Sequence, residues 1–163
     1  MNYKYVVPEK KKIRVIIDSD AKNEADDQYA IVHALLTPKF NIKGIVAAHF
    51  GKQRTPDSMK ESYEECEKLL SLMGKTGEVR VYHGAKEAMV SEEEYEYSEG
   101  ADFIVREALR EDDSKLFVIS LGAITDIAAA YQRHPEIAGR FTCIWIGGRP
   151  YPNGGDEFNL HND

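Results

Sequence analysis

The stretch Val15-Ile16-Ile17-Asp18-Ser19-Asp20, followed after five residues by Asp26-Asp27-Gln28-Tyr29-Ala30, decides the fold of this 163-residue chain. Its first part belongs to a short apolar run that ends in acid, which is typical of a buried strand. Its second part opens residues 26–36, where apolar side chains recur on one helical face until Pro38 ends the helix. A buried strand that leads through a short loop into a helix is the repeating unit of α/β proteins.

The same alternation of strand and helix continues along the rest of the chain. Apolar runs predict strands at residues 42–48, 79–82, 115–120 and 141–146, and helical periodicity predicts helices at residues 58–73, 101–109 and 124–132. We therefore expect an α/β fold, an open and mostly parallel sheet with helices on both faces. Ligands of such sheets bind beyond the carboxyl ends of the strands, and the polar clusters of this chain fall at such ends.

Composition limits the class of protein. Apolar residues make up 42% of the chain and charged residues 30%, and the length suffices for one domain with a real core. The net charge of −7 disfavours binding to nucleic-acid phosphates but does not exclude nucleosides, which carry none. Without an apolar signal core or a run approaching the ~18 apolar residues of a membrane helix, we expect a cytoplasmic protein that binds neither nucleic acid nor membrane. Cys66 and Cys143 lie in apolar-patterned segments, and we expect both to be buried free thiols.

Four carboxylates, Asp18, Asp20, Asp26 and Asp27, lie within ten residues at the end of the first strand. Such a cluster is self-repulsive unless a cation screens it, and hard oxygen ligands suit calcium or magnesium better than zinc. Asp26 and Asp27 also stand at a helix start, where they would accept hydrogen bonds from free amides, so a simple helix cap remains an alternative.

Two other motifs contain paired aspartates. An EF-hand counted from Asp18 requires an acid or amide, then glycine, then glutamate at positions held here by Lys22, Asn23 and Tyr29, so that motif fails. A haloacid-dehalogenase-type phosphatase usually has Thr or Val where this chain has Lys22, and it leaves the Asp26-Asp27 pair unexplained. This phosphatase remains a lesser alternative.

The two aspartate segments resemble the N-terminal fingerprint of inosine-uridine preferring nucleoside hydrolases. Three later segments fit the family in order. Residues 120–128, Ser-Leu-Gly-Ala-Ile-Thr-Asp-Ile-Ala, resemble its Gly-x-Leu-Thr-Asn-Ile-Ala turn, and Ile146-Gly147-Gly148 resembles its Met-Gly-Gly. Glu157-Phe158-Asn159 with Asp163 resembles its Glu-Phe-Asn-x-x-x-Asp segment. The resemblance covers residues 13–163 and implies that residues 1–163 are the N-terminal portion of a single nucleoside hydrolase-like domain.

The resemblance implies hydrolysis of the N-glycosidic bond of ribonucleosides by a calcium-bound water, in purine or pyrimidine salvage. Asp20 and Asp27 would ligate calcium through carboxylates and Leu121 through its backbone carbonyl. Asp20 would also be the general base that activates the water.

The resemblance also implies the sugar contacts. Asp26, Glu157 and Asn159 would bind the ribose 2′- and 3′-hydroxyls, and Asn153 in the Gly-rich loop would reach the 5′-hydroxyl. Contacts of this kind favour an oxocarbenium-like transition state if they tighten as the ring flattens.

The chain departs from the family in three places. Five residues rather than three separate Asp20 from the aspartate pair, and His49-Phe50-Gly51 stands where the family often has Asn. The chain also lacks the second half, which in the family carries another calcium aspartate and the histidine that protonates the leaving base. The sequence gives no ground for assigning that role to His161. We therefore expect a homo-oligomer or a complementing second half as partner, and a catalytically incompetent fragment or ribose- and metal-binding half-domain remains the alternative.

Overall fold

The structure, a computed structural model, describes residues 4–150 and 152–163. These residues form five strands and five α-helices in strict alternation, together with short 3-10 helices at Glu9–Lys11 and Pro135–Ile137. The elements are β1 (Ile13–Ser19), α1 (Asp26–Leu36), β2 (Phe40–Ala47), α2 (Ser58–Leu72), β3 (Val81–His83), α3 (Glu99–Leu109), β4 (Leu116–Ser120), α4 (Thr125–Arg133), β5 (Thr142–Trp145) and α5 (Phe158–Asn162).

The five strands form one parallel sheet in the order β3-β2-β1-β4-β5. The predicted open parallel sheet is therefore confirmed. The chain runs outward from β1 to β3, then returns to β4 on the other side of β1. This reversal makes the crevice beyond the carboxyl ends of β1 and β4 the expected ligand site of the fold.

The core lies on both faces of the sheet. One cluster packs Ile16 of β1 against α3 and α4, and the other packs Val15 and Ile17 against α1 and α2. Alternate residues of a strand point to opposite faces, so the consecutive apolar residues Val15, Ile16 and Ile17 serve both clusters, and the polar residues of β1 are buried as well. The central strand is consequently buried over nearly its whole length, more completely than β2, β4 or β5.

Strand β5 forms an edge of the sheet, and it corrects one expectation. Cys66 is buried as expected, but Cys143 is exposed because the outer side of β5 has no neighbouring strand among the described residues. Ile144 is 51% exposed and Ile146, just beyond the strand, is 61% exposed. Thr142–Trp145 carries none of the charges that commonly protect an edge from association.

The ends of some elements differ from those predicted. Val79 forms an isolated bridge with Thr76, so β3 begins only at Val81. Helix α3 begins at Glu99, because Ser98 caps it by accepting a hydrogen bond from the Ala101 N–H. In the described part of the chain, no helix is long and apolar enough to span a membrane.

Candidate active site

A cavity of about 220 Å³ opens beyond the carboxyl ends of β1, β4 and β5, where the fold predicts a ligand. Its described lining comes from the loop before α1, the ends of β4 and β5, and the start of α5: Asp20, Asn23, Glu24, Asp26, Asp27, Leu121, Ile146, Glu157, Phe158 and Asn159. Six of the seven residues selected from the sequence thus meet at one cavity.

Asn153 is the residue that the structure does not bring to this group, because it is not among the described residues that line the cavity. Its side chain is exposed. Asn23 and Glu24 line the cavity without having been selected. Their signal in the sequence was their position in the longer interval between Asp20 and Asp26.

Asp20 lies at the end of β1 and is 2% exposed. Burial, and then repulsion from Asp27, raises the pKa of Asp20 from 3.8 to about 7. Its Oδ2 has no hydrogen-bond partner among the described groups. The turn after β4 passes so close that a Cβ on Gly122 would lie 2.9 Å from the Asp20 carboxyl carbon, so glycine is needed there. Asp20 is therefore a buried carboxyl held near its neutral form, with one oxygen unpartnered.

Asp27 is the second residue of α1 and is 7% exposed. Its Oδ1 accepts a hydrogen bond from Ser19 Oγ at 2.5 Å. Burial nevertheless raises the pKa of Asp27 to about 6. The N-cap of α1 is Ala25, and no side chain caps the helix. The aspartate pair is thus not a simple helix cap.

Asp18 lies beneath this pair and is fully buried. Neither of its carboxyl oxygens has a geometrically acceptable hydrogen-bond partner in the described part of the chain, although Ser120 is its register neighbour on β4. Burial, and then repulsion from Asp126 and Asp20, raises the pKa of Asp18 well above its ordinary value. Asp18 is consequently held toward its protonated form, a role that the sequence did not suggest.

Asn159 ties α5 to the ends of two strands. Its Nδ2 donates to the backbone carbonyls of Leu121 (2.9 Å) and Ile146 (2.8 Å). Two carbonyl acceptors fix the orientation of the amide and leave Oδ1 free to accept a hydrogen bond. The Leu121 carbonyl keeps a second lone pair for another partner.

Glu157 is the N-cap of α5. Its carboxylate accepts hydrogen bonds from the N–H groups of Asn159 (3.0 Å), Leu160 (3.3 Å) and Gly148 (3.0 Å). Partial burial raises the pKa of Glu157, but the backbone donors together outweigh it, and the pKa lies below its ordinary value. Glu157 therefore presents an ionised carboxylate to the cavity.

The donor atoms suit a cation that prefers oxygen. No group of three or more His, Cys, Asp or Glu side chains able to hold a metal ion occurs within residues 4–150 and 152–163. Asp20 and Asp27 supply two carboxylates, and the third donor on this cavity is the backbone carbonyl of Leu121. The unpartnered Asp20 oxygen and the raised pKa values of both acids fit the binding of a cation at this cavity, but three protein donors fall short of the six to eight oxygen ligands that calcium takes.

Comparison with known proteins gives the family. The family model "Inosine-uridine preferring nucleoside hydrolase" matches residues 15–163. No curated protein sequence matches the chain significantly.

Solved structures share the fold. A purine-preferring ribonucleoside hydrolase from Gardnerella vaginalis superposes with a TM-score of 0.74 at 23% identity, over 92% of this chain and 54% of that one. An inosine-guanosine nucleoside hydrolase gives 0.72 at 20% identity, over 93% and 56%. The type III effector XopQ, complexed with adenosine diphosphate ribose, gives 0.69 at 15% identity, over 96% and 52%. The chain thus spans about half the length of these proteins, and by its match over residues 15–163 it belongs to the inosine-uridine preferring nucleoside hydrolase family.

Proposed function

We propose that residues 1–163 are the N-terminal portion of a single nucleoside hydrolase domain that cleaves the N-glycosidic bond of a ribonucleoside with water, in purine or pyrimidine salvage. The observation that carries the proposal is one cavity beyond β1 and β4, where the order of the strands reverses. Two buried carboxylates, Asp20 and Asp27, open onto it together with the Leu121 carbonyl and the sugar-binding candidates Glu157 and Asn159. The haloacid-dehalogenase alternative is set aside, because the family match accounts for the Asp26-Asp27 pair as well.

Asp20, Asp27 and the Leu121 carbonyl would hold calcium, because all three offer hard oxygen donors on the same cavity. A bound calcium ion would supply Lewis acidity to the attacking water. The charge of the ion would also lower the pKa values of Asp20 and Asp27, which burial raises, so both acids would ionise.

Asp20 is the proposed general base. Without a cation its pKa of about 7 lies close to neutral pH, and a bound cation would hold the group ionised and so able to take a proton from water.

Glu157, Asn159 and Asp26 are the proposed ribose contacts. The Glu157 carboxylate and Asn159 Oδ1 are acceptors whose positions are already fixed by backbone hydrogen bonds, so little ordering is needed when hydroxyls arrive. Asp26 adds an exposed carboxylate at the start of α1. The assignment of Asn153 to the 5′-hydroxyl rests on the family resemblance alone.

A complementing second half or a second copy of the chain is the proposed partner. The cavity is smaller than the roughly 300–1,000 Å³ of ordinary small-molecule sites, and its rim includes exposed Ile146 and Phe158. A partner there would complete the walls and supply the remaining cation ligand and the acid that protonates the leaving base. A half-domain that binds ribose and metal without turnover is the second candidate, favoured by the shortage of donors.

The test is release of base from inosine and uridine by the 163-residue chain, in millimolar calcium and in chelator. The proposal expects slow, calcium-dependent release that Asp20→Asn lowers by roughly 10²–10⁴-fold, whereas Asp113→Asn, at an exposed aspartate outside the cavity, has no effect. Calcium and inosine binding without release would favour the half-domain. Release that persists in chelator or in Asp20→Asn would contradict the metal and base assignments.

A further inference from the structure

Asp163 lies at the end of a chain of hydrogen bonds that begins beyond β2. Thr125 Oγ1 donates to Asp163 Oδ2 at 2.5 Å, and the Met89 N–H donates to the same oxygen at 3.1 Å. His49 Nε2 lies 2.8 Å from Thr125 Oγ1, and the Gly51 N–H donates to His49 Nδ1 at 3.2 Å. We call this set, Gly51, His49, Thr125, Met89 and Asp163, the Asp163 strut.

The protons of the strut have one arrangement. His49 Nδ1 accepts from Gly51, so the ring hydrogen lies on Nε2 and is donated to Thr125 Oγ1. The Thr125 hydroxyl hydrogen is then directed at Asp163. Although threonine, histidine and aspartate compose hydrolytic triads elsewhere, here the histidine does not accept the hydroxyl proton, and Thr125 is only 1% exposed. The strut is therefore a support and not a nucleophile.

The strut fixes the far end of α5. Asp163 follows that helix directly, and its N–H bonds to the Asn159 carbonyl at 3.3 Å. The helix also lies close to the loop that follows β2, since a Cβ on Gly51 would lie 2.9 Å from Asn162 Oδ1. At the near end, the Asn159 amide donates hydrogen bonds to the Leu121 and Ile146 carbonyls, which follow β4 and β5. A helix of five residues has little stability of its own, so these two attachments determine where it lies.

We propose that Asp163 is a positioning residue, which acts through Thr125 and His49 to hold α5 so that Glu157 and Asn159 face the ribose. The inference rests on the proposed function for those two contacts. Asp163 is not among the described residues lining the cavity, so its effect passes through α5. Because the sugar contacts serve the bound nucleoside before any bond breaks, loss of the strut weakens nucleoside binding itself.

Two pairs of variants test the strut. Asp163→Ala and Thr125→Val remove a buried or charge-assisted hydrogen bond, whereas Asp163→Asn keeps an acceptor oxygen and Thr125→Ser keeps the hydroxyl. Asp113→Ala and Thr142→Val are matched controls at exposed positions. Amide hydrogen exchange of residues 158–163 reports the opening of α5. The NMR signals of the two side-chain amide protons of Asn159 report its hydrogen bonds to the Leu121 and Ile146 carbonyls.

Asp163→Ala and Thr125→Val should speed exchange in α5 by roughly 10–100-fold, shift the Asn159 amide signals and weaken inosine binding in millimolar calcium by about tenfold or more. The conservative variants should stay within about fivefold of the unmodified chain. Asp163 is only partly buried, so Asp163→Ala does not threaten folding. An unchanged rate of amide exchange in α5 of this variant would overturn the strut. Faster exchange with undiminished inosine affinity would overturn its role in positioning. If the unmodified chain bound no inosine, the proposed function would fail, and the exchange rates would still decide the strut.

Discussion

We expect Asp20→Asn to stabilise the metal-free protein at pH 8, even though it removes the proposed base. The cause is the buried charge. Burial and the neighbouring Asp27 raise the pKa of Asp20 from 3.8 to about 7. A carboxyl whose pKa is higher in the folded chain holds protons more tightly there, so the free energy of unfolding falls as pH rises from about 4 to about 7 and is level above that.

The magnitude follows from the difference between the two pKa values. About three pH units at ~1.36 kcal/mol each give about 4 kcal/mol for ionising Asp20. Asp27, with a pKa of about 6, adds about 3 kcal/mol on the same basis. Between pH 5 and 8 the metal-free protein should therefore lose about 3 kcal/mol through Asp20 and about 1 kcal/mol through Asp27. An asparagine at position 20 avoids the charge, but its buried amide donor stays unpaired, which costs about 1–3 kcal/mol. The free energy of unfolding at pH 8 should therefore rise by about 1–3 kcal/mol in Asp20→Asn.

The assay is urea unfolding from pH 5 to pH 8 in chelator, with Asp113→Asn as a control that should change stability by less than about 0.5 kcal/mol. Asp20→Asn should flatten the pH dependence and raise the midpoint at pH 8. Calcium should stabilise the unmodified chain, by about 2.7 kcal/mol at one hundred times its dissociation constant, and stabilise Asp20→Asn much less. A variant that is less stable than the unmodified chain at pH 8, with the same pH slope, would refute the assignment of Asp20 as a strained ionisable group.

Three further predictions concern the ribose side and the edge of the sheet. Glu157→Gln should weaken inosine binding by about tenfold, since it removes the charge but keeps one capping acceptor, and calorimetry would detect the change. Ile144→Lys should reduce self-association measured by light scattering, because β5 is an uncharged, exposed edge; unchanged association would place the contact elsewhere. A thiol reagent should modify Cys143 faster than Cys66, which should react only on unfolding. Burial raises the pKa of both thiols, but Cys143 is exposed whereas Cys66 is fully buried; equal rates would contradict this packing.

The part of the fold that the sequence could predict is the part with a strong hydrophobic period. Strand β1 is buried on both faces, and its three consecutive apolar residues Val15, Ile16 and Ile17 predict this. The meeting of Asp20, Leu121 and Asn159 at one cavity was also predictable, since parallel strands end at one edge of the sheet and two of these residues follow strands.

Other features depend on tertiary contacts that leave no local pattern. Residues 141–146 are as apolar as a central strand, yet β5 is an exposed edge, because the sequence does not say which strand has a neighbour on both sides. The role of Asp163 was equally hidden, since its partners Thr125 and Met89 lie 38 and 74 residues away along the chain.

The two sides of the site rest on supports of unequal strength. Asp20 directly follows the central strand, and Asp27 lies in the first turn of α1, where Ser19 of that strand donates a hydrogen bond to it. The two side chains are 2% and 7% exposed, and the strand that anchors them packs against the core on both faces of the sheet. Two of the three proposed ribose contacts, Glu157 and Asn159, lie at the start of α5. Phe158 and Leu160 of this helix are 41% and 45% exposed, and Asn159 attaches the helix to the sheet partly through the Ile146 carbonyl, just beyond β5. Local opening is easiest where few apolar contacts are buried, so the ribose side opens before the metal side does. A partner that covers β5 would therefore also restrain Asn159, and covering the edge of the sheet would strengthen the proposed sugar binding without any contact to the sugar.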